Sequence, residues 1–356
     1  TTMAVKSADL TGNGVPEVYL AQIAGRSSGV SETLKMQPLE IYCDSIQDPD
    51  ALATCQKNMA IKTWYKSGNN FDPSYARRCQ QLGPRDQLEC KAMLIKDLAI
   101  QRRDASLCAM IPTGQDIAKS YCQLHFRPPR PITAAEAEAS IPQILRSNVL
   151  LEWQDSVYTD SAEARGLDLG GWSWDTKIED FDLDGDLDVY IVNGTWVPNE
   201  VSPSNLYFEN DGTGQFTEAS GPMGLEDYLM TAAALALDID GDGDLDLLTQ
   251  PVNGPVILFV NNSQTQNRLV VTLEDHIGNR DGIGAVLILT DDQGATQRRE
   301  IQLGGGFMSF DAPRATFGLT DGRHVAALTI RWADGGETSI AGPWPTNMQY
   351  RVIRSE

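Results

Sequence analysis

The sequence predicts a mainly β protein: a partial β-propeller with a disulfide-rich α-helical insertion and a C-terminal β-sandwich. Three observations support this: an acidic loop that recurs along the chain, a block of cysteines confined to one segment, and a C-terminal stretch of alternating strands. With 356 residues, 41% of them hydrophobic, the chain can form two or three domains with their own cores. We expect a first partial blade over 1–26, the insertion over 27–140, two blades over 141–262 and a final β domain over 263–356.

An internal repeat covers the middle of the chain. The segment that opens at Asn148 recurs at Asn205, and the acidic loop at Asp180 recurs at Asp238, so two independent landmarks keep nearly the same period. Each unit has short strands, a turn and an acidic loop, which is typical of a propeller blade. A weaker copy of the loop begins at Asp9, so the spacing indicates that about 114 residues are inserted between two neighbouring blades.

All six cysteines lie in this insertion. Their spacings are too wide for zinc knuckles, and an even count in one block favours disulfides and an oxidising compartment over reduced thiols in a cytosolic domain. Short runs with helix-capping signals end at Cys55, Cys90 and Cys122. We therefore predict three helical hairpins, each closed by its own disulfide, although six cysteines allow fifteen pairings. The predicted pairs are Cys43–Cys55, Cys79–Cys90 and Cys108–Cys122.

The net charge of −21 is concentrated in one segment. Between Asn148 and Gln250 there are 23 Asp and Glu residues against only Arg165 and Lys177. A polyanionic nucleic acid would be repelled, so we expect no nucleic-acid partner. No run of eighteen apolar residues predicts a membrane span, and no N-terminal stretch has the pattern of a signal peptide. The start at Thr1 reads as a processed end, which is compatible with export.

The recurring acidic loops have the pattern D-x-D-x-D-G-x-x-D. Alternating side chains of a tight loop converge on one point, and ligation by oxygen alone selects a hard cation, best Ca²⁺. An EF-hand is excluded because strand-forming residues follow each loop and no Glu stands at position 12. We predict two structural Ca²⁺ sites and a third, weaker one. Their candidate ligands are Asp180, Asp182, Asp184, the Asp186 carbonyl and Asp188; Asp238, Asp240, Asp242, the Asp244 carbonyl and Asp246; and Asp9, Thr11, Asn13, the Val15 carbonyl and Glu17.

These motifs resemble a known combination of domains. The acidic loops and the turn at 210–216 resemble the FG-GAP/VCBS repeats of integrin-type propellers. The motifs at 279–285, 304–309, 317–319 and 330–335 resemble the ASPIC/UnbV domain of cartilage acidic protein and its bacterial relatives. The resemblance implies extracellular calcium binding and interaction without a known reaction. Members have about seven blades and at most three partial ones occur here, so the remaining blades are expected from another segment or a protein partner.

We expect a secreted, periplasmic or cell-surface scaffold that is not an enzyme. One catalytic motif occurs, G-x-S-x-G around Ser27, but its histidine partners would have to be His125, His276 or His324, none in a recognisable setting. A calcium-dependent carbohydrate-binding module is the other alternative. It rests on the tryptophans at 172, 174, 196, 332 and 344, although Trp172 and Trp174 alternate on a strand, which favours packing inside a blade.

Overall fold

The computed structural model confirms a mainly β architecture. It describes residues 2–23, 79–127, 147–194, 204–227, 231–252, 256–263, 267–304, 306–320 and 322–355, together with single residues at 49, 52, 53 and 56. The described residues divide into two compact units, one formed by 1–55 and 144–356 and the other by 56–143. Within the described residues, no helix is long and apolar enough to cross a membrane.

Three antiparallel sheets form the propeller part of the first unit. The first blade consists of β1 (Thr2–Ala8), β2 (Glu17–Gln22), β3 (Val149–Gln154) and β4 (Val157–Asp160), and a short helix α3 (Ala162–Arg165) follows it. The second blade consists of β5 (Ser173–Glu179), β6 (Asp188–Asn193), β7 (Leu206–Asn210) and β8 (Phe216–Glu218). The third consists of β9 (Thr231–Leu237), β10 (Asp246–Pro251) and β11 (Ile257–Phe259).

The first blade corrects the predicted position of the insertion. β2 pairs with β3 through Tyr19 opposite Leu150, so residues on either side of the insertion belong to one sheet. The insertion therefore interrupts a blade between its second and third strands and does not separate two blades. The repeat that opens at Asn148 begins with a third strand, because each acidic loop joins the first two strands of its blade. For the same reason, the predicted blade over 1–26 is completed by residues 149–160.

Apolar faces of the first two blades pack against each other. Strand alternation places Tyr19 and Leu150 on one side of this core and Val189 and Phe208 on the other, each fully buried. The opposite face of the second blade includes Tyr190, whose hydroxyl accepts a hydrogen bond from the Asn205 side chain. In the first blade, Tyr19 and Asn148 make the same pair. The sequence repeat is thus a repeat of packing and of buried hydrogen bonds.

The C-terminal domain is a two-sheet sandwich, as predicted. One sheet has the order β15 (Arg314–Gly318), β12 (Arg268–Asp275), β18 (Met348–Arg354), and the other has β14 (Thr296–Glu300), β13 (Val286–Asp291), β16 (Val325–Arg331), β17 (Glu337–Trp344). Their facing side chains form one core that includes Leu287, Phe317 and Trp332.

The second unit is a helical, disulfide-linked segment. Its described elements are α1 (Pro84–Arg102), a 3₁₀ helix (Ala105–Met110) and α2 (Asp116–His125). Disulfides join Cys79 to Cys90 and Cys108 to Cys122, the pairs expected from the sequence. The predicted Cys43–Cys55 pair lies outside the described residues. Ala92, Ala99 and Ile111 pack around the second disulfide, so this small core is reinforced by covalent cross-links.

Candidate metal centre

Three acidic loops connect the first two strands of the three blades, and they share one backbone conformation. We call them loop 1 (9–17), loop 2 (180–188) and loop 3 (238–246) and number their positions 1 to 9. Position 4 has a positive φ in all three: 67° at Gly12, 62° at Leu183 and 80° at Gly241. Position 6 is a glycine with φ between 83° and 107° in each. Leu183 is the exception that adopts this region without being glycine, and its side chain is fully buried.

Loops 2 and 3 each bring three aspartates together. One carboxylate oxygen from each of Asp180, Asp182 and Asp184 lies within 4.8 Å of the other two, and the same holds for Asp238, Asp240 and Asp242. These are positions 1, 3 and 5, which the sequence predicts to converge. In loop 2 the side chains range from buried Asp180 to exposed Asp184, so this triad extends from the protein interior to the surface. The two triads are therefore arranged so that each could hold a metal ion.

Position 9 closes each loop through hydrogen bonds. The Asp188 carboxylate accepts from the backbone N–H of Phe181 at 3.2 Å, from the N–H of Asn210 at 3.0 Å and from the Tyr207 hydroxyl at 3.0 Å. Asp246 accepts from the N–H groups of Ile239 and Asn261, both at 2.8 Å. Both oxygens of each carboxylate thus have protein donors. Their proposed role as ligands remains a prediction, while their role in shaping the loop is visible.

Position 7 turns the loop through its backbone N–H. Asp186 donates to the Asp184 carboxylate at 2.9 Å, and Asp244 donates to Asp242 at 3.1 Å. In loop 1, Val15 donates to the Asn13 side chain at 2.7 Å. This repeated turn explains why position 5 is Asp or Asn in all three loops, since their short side chains can accept a hydrogen bond from the backbone two residues on.

Loop 1 has a thinner set of ligands. Its position-9 residue, Glu17, accepts from the Leu10 N–H at 2.8 Å and from the Thr11 hydroxyl at 3.0 Å. Asp9 accepts from the Gly14 N–H at 2.9 Å with one oxygen. Asp9 keeps a second carboxylate oxygen that accepts no hydrogen bond, so it is the best placed candidate ligand in this loop.

Several carboxylates in these loops are unfavourable as isolated anions. Burial, followed by repulsion from neighbouring aspartates, raises the pKa of Asp180 to about 7 despite the opposing effect of Arg299. Burial and the Asp184 charge raise the pKa of Asp182 to about 6, and burial and Asp242 raise that of Asp244 to about 7. Burial also raises the pKa of Asp188 to about 8. A bound cation would offset this desolvation and repulsion.

Unpartnered buried oxygens identify where a cation would fit. Asp9 Oδ1, Asp180 Oδ1 and Asp244 Oδ1 are buried and have no hydrogen-bond partner. A buried carboxylate oxygen without a donor raises the free energy of the folded state, and a bound cation would remove this cost at each of these atoms. There is one such oxygen in each loop: in loops 1 and 2 it belongs to the predicted ligand at position 1, whereas in loop 3 it belongs to the side chain at position 7, where the sequence predicts a carbonyl ligand.

The C-terminal domain reaches the loops, which sequence reasoning missed. The Gly318 N–H donates to Asp180 Oδ2 at 2.8 Å, and the Arg299 guanidinium lies 3.5 Å from the same oxygen. Arg314 lies 3.8 Å from Asp238 in loop 3. Both arginines are distant in sequence from the loops they approach, so no local pattern in the sequence predicts these contacts.

The other candidate residues are placed differently. Trp174 and Trp332 are buried, with their indole N–H groups donating to the Gly194 carbonyl and the Thr338 hydroxyl, respectively. Ser27 and Trp196 lie outside the described residues. Neither the hydrolase nor the carbohydrate hypothesis therefore gains a site from these particular residues.

The fold and the loops define a β-propeller segment with acidic turns able to hold cations, joined to a β-sandwich. Comparison with protein families agrees: residues 180–249 match the FG-GAP-like repeat, and residues 275–356 match the domain described as ASPIC and UnbV. The chain thus combines FG-GAP repeats with a C-terminal ASPIC/UnbV domain, as its motifs implied. A comparison with curated proteins finds no significant match.

Proposed function

We propose that this chain is an exported, calcium-binding scaffold whose metal ions are structural and whose role is to bind a partner. The observation that carries the proposal is the buried, unpartnered Asp180 Oδ1 beside the carboxylates of Asp182 and Asp184. Oxygen ligands of this number and charge suit Ca²⁺, which accepts six to eight of them in flexible geometry. Two ions, in loops 2 and 3, are proposed, with loop 1 as a third candidate.

When bound, the cation would neutralise carboxylates that otherwise repel each other and so hold each loop closed. Asp180, Asp182 and Asp184 would supply oxygens in loop 2, and Asp238, Asp240 and Asp242 in loop 3. Each loop joins the first two strands of its blade, so a closed loop stabilises the blade. This supports a structural role for the metal.

Metal content of variants tests the proposal. Asp184→Ala and Asp242→Ala should each remove one Ca²⁺ per chain, measured by mass spectrometry on protein purified without chelators. The matched control is Asp211→Ala, an exposed carboxylate outside the three loops, which should keep the wild-type content. Unchanged calcium in both loop variants would contradict the assignment of the ligands.

One face of the first blade supports a protein partner. Val18, Leu20, Val149 and Leu151 occupy the repeat positions of Val189, Ile191, Leu206 and Phe208, which are buried between the first two blades. On the first blade, the same face includes Val5 and Trp153, whose exposed fractions are 49% and 48%. We propose that a further propeller blade, from another segment or chain, covers this face. A photo-crosslinking residue at position 153 tests this: crosslinks to another β-propeller segment would support it, and crosslinks only to unrelated folds would contradict it.

Carbohydrate binding is the alternative with a specific observation behind it. Trp153 and Tyr158 form an exposed edge-to-face pair across β3 and β4, with ring centroids 4.9 Å apart. Exposed aromatic rings of this kind can stack on sugars. A polysaccharide pull-down that depends on calcium and is lost on Trp153→Ala would favour this alternative over the scaffold. For the hydrolase alternative, the decisive result would be turnover that is lost on Ser27→Ala.

A further inference from the structure

The C-terminal domain and loop 2 share a carboxylate. Asp180, which is fully buried, accepts the Gly318 N–H with Oδ2 at 2.8 Å, while its Oδ1 has no partner. Oδ2 therefore binds the C-terminal domain, whereas Oδ1 remains available to a cation in loop 2. A carboxylate fixed in this way has its rotamer set before any cation arrives.

Arg299 reinforces this contact from a rigid position. Its guanidinium donates to the Thr316 carbonyl at 3.2 Å and lies over the Phe317 ring, 5.3 Å from the centroid. The same group donates to the carbonyl of Gly185, position 6 of loop 2, at 3.1 Å. Arg299 thus ties the C-terminal domain to the backbone of loop 2 as well as to Asp180.

Gly318 of the C-terminal domain packs directly against loop 2. A Cβ at this position would overlap the backbone carbonyl of Leu183, the buried residue with positive φ in loop 2. Gln297 donates to the Gly318 carbonyl at 2.7 Å, which holds the strand end against the loop. The conformation of loop 2 and the seating of the C-terminal domain are therefore physically linked.

We propose that Asp180 couples the cation in loop 2 to the C-terminal domain, so that metal binding locks this domain onto the second blade. This inference rests on the proposed calcium binding. Without a cation, the aspartates of loop 2 repel one another and the loop opens more often, which breaks the Gly318 hydrogen bond. With a cation, Asp180 is held from both sides.

Loop 3 provides a matched comparison. Asp238 accepts the Gly241 N–H at 2.8 Å, a bond within its own loop. Among the described residues, the C-terminal group near it is the Arg314 side chain at 3.8 Å, and no C-terminal backbone N–H donates to it. A cation lost from loop 3 should therefore leave the Gly318 contact in place.

The exchange rate of the Gly318 amide hydrogen tests the coupling. The full chain is compared with and without EDTA, alongside Asp184→Ala in loop 2 and Asp242→Ala in loop 3; the hydrogen bonds that the described residues make with these two carboxylates come from their own loops. At a Ca²⁺ concentration about 100 times the dissociation constant, calcium should slow exchange at Gly318 in the wild type by up to about 100-fold. Asp184→Ala should lose this protection, and Asp242→Ala should keep it.

Gly318→Ala gives the reciprocal test, because coupled sites affect each other equally. The variant displaces the C-terminal domain from Leu183. It should weaken Ca²⁺ binding in loop 2 and leave Ca²⁺ binding in loop 3 unchanged. Calcium that binds normally but leaves Gly318 exchange unaltered would overturn the coupling and leave the proposed function standing. A wild type that binds no Ca²⁺ would overturn both.

Discussion

The side-chain amine of Lys177, on the first strand of the second blade, lies 3.0 Å from the Asp311 carboxylate of the C-terminal domain. It also donates to the Ser309 hydroxyl at 3.0 Å, and Ser309 in turn donates to Asp175 Oδ2 at 2.6 Å. Lys6, which stands three residues before loop 1 as Lys177 stands before loop 2, lies 3.6 Å from the same Asp311. The C-terminal domain is therefore anchored to the first strands of two blades through charged groups whose side chains are at most 15% exposed.

Replacement of Lys177 by Met should lower the free energy of unfolding by about 3–5 kcal/mol, because the fully buried Asp175 and the largely covered Asp311 would lose their neighbouring positive charge. Urea unfolding followed by circular dichroism measures the change. Arg331→Met is the control, since its pair with Glu337 is exposed and should contribute no more than about 1 kcal/mol. Equal effects of the two substitutions would contradict the role of the buried network.

Glu152 should make stability depend on pH. Its hydrogen bond from Arg165 lowers the pKa of the carboxyl to about 2, with a further contribution from Ser161. Because the folded pKa is below the unfolded value of 4.5, the stabilisation is present above about pH 4.5 and is lost as the pH falls towards 2.

Glu152→Gln should therefore reduce stability by about 1–3 kcal/mol at pH 7 and by less than half of that amount near pH 3. Thermal or urea unfolding at both pH values provides the measurement. The control, Glu163→Gln, changes an exposed residue of α3 and should have little effect at either pH. A deficit of the same size at pH 3 as at pH 7 would be inconsistent with the ion pair.

Asn210 connects two acidic loops. Its side-chain amide donates to the Leu10 carbonyl in loop 1 at 3.0 Å and to the Leu187 carbonyl in loop 2 at 3.1 Å. Asn261 repeats this arrangement one blade later, with the carbonyls of Phe181 and Leu245. The side chain thus joins each loop to the one before it.

Asn210→Ala should lower the free energy of unfolding by about 2–3 kcal/mol, because two buried carbonyls would lose their donor. Gln293→Ala, at an exposed turn of the C-terminal domain, should change it by less than about 0.5 kcal/mol. Urea unfolding of both variants decides the matter. If the two variants proved equally stable, the proposed linkage between loops would be excluded.

The parts of the fold that follow from local pattern were predictable. The spacing of Asp180, Asp182 and Asp184 with Gly185 predicts a convergent loop because alternating side chains and one glycine suffice to form it. The disulfides from Cys79 to Cys90 and from Cys108 to Cys122 were predictable for the same reason, since each closes a short hairpin.

What the sequence could not show depends on distant partners. Asp180 is bonded to Gly318 and Lys177 to Ser309, at sequence separations of 138 and 132, and a single sequence contains no pattern that pairs them. The assignment of residues 149–160 to the first blade failed for a related reason. The repeat reveals a period but not which strand begins a sheet, and only the pairing of β2 with β3 resolves this.

Calcium dependence of the melting temperature, measured together with metal content, tests the central claim most directly. Protein purified without chelators should contain two or three Ca²⁺ per chain, and EDTA should lower its melting temperature by several degrees, because a cation that binds only the folded loops stabilises them. Protein without bound calcium and with a melting temperature unmoved by EDTA would contradict the account, since the acidic loops would then be turns that need no metal.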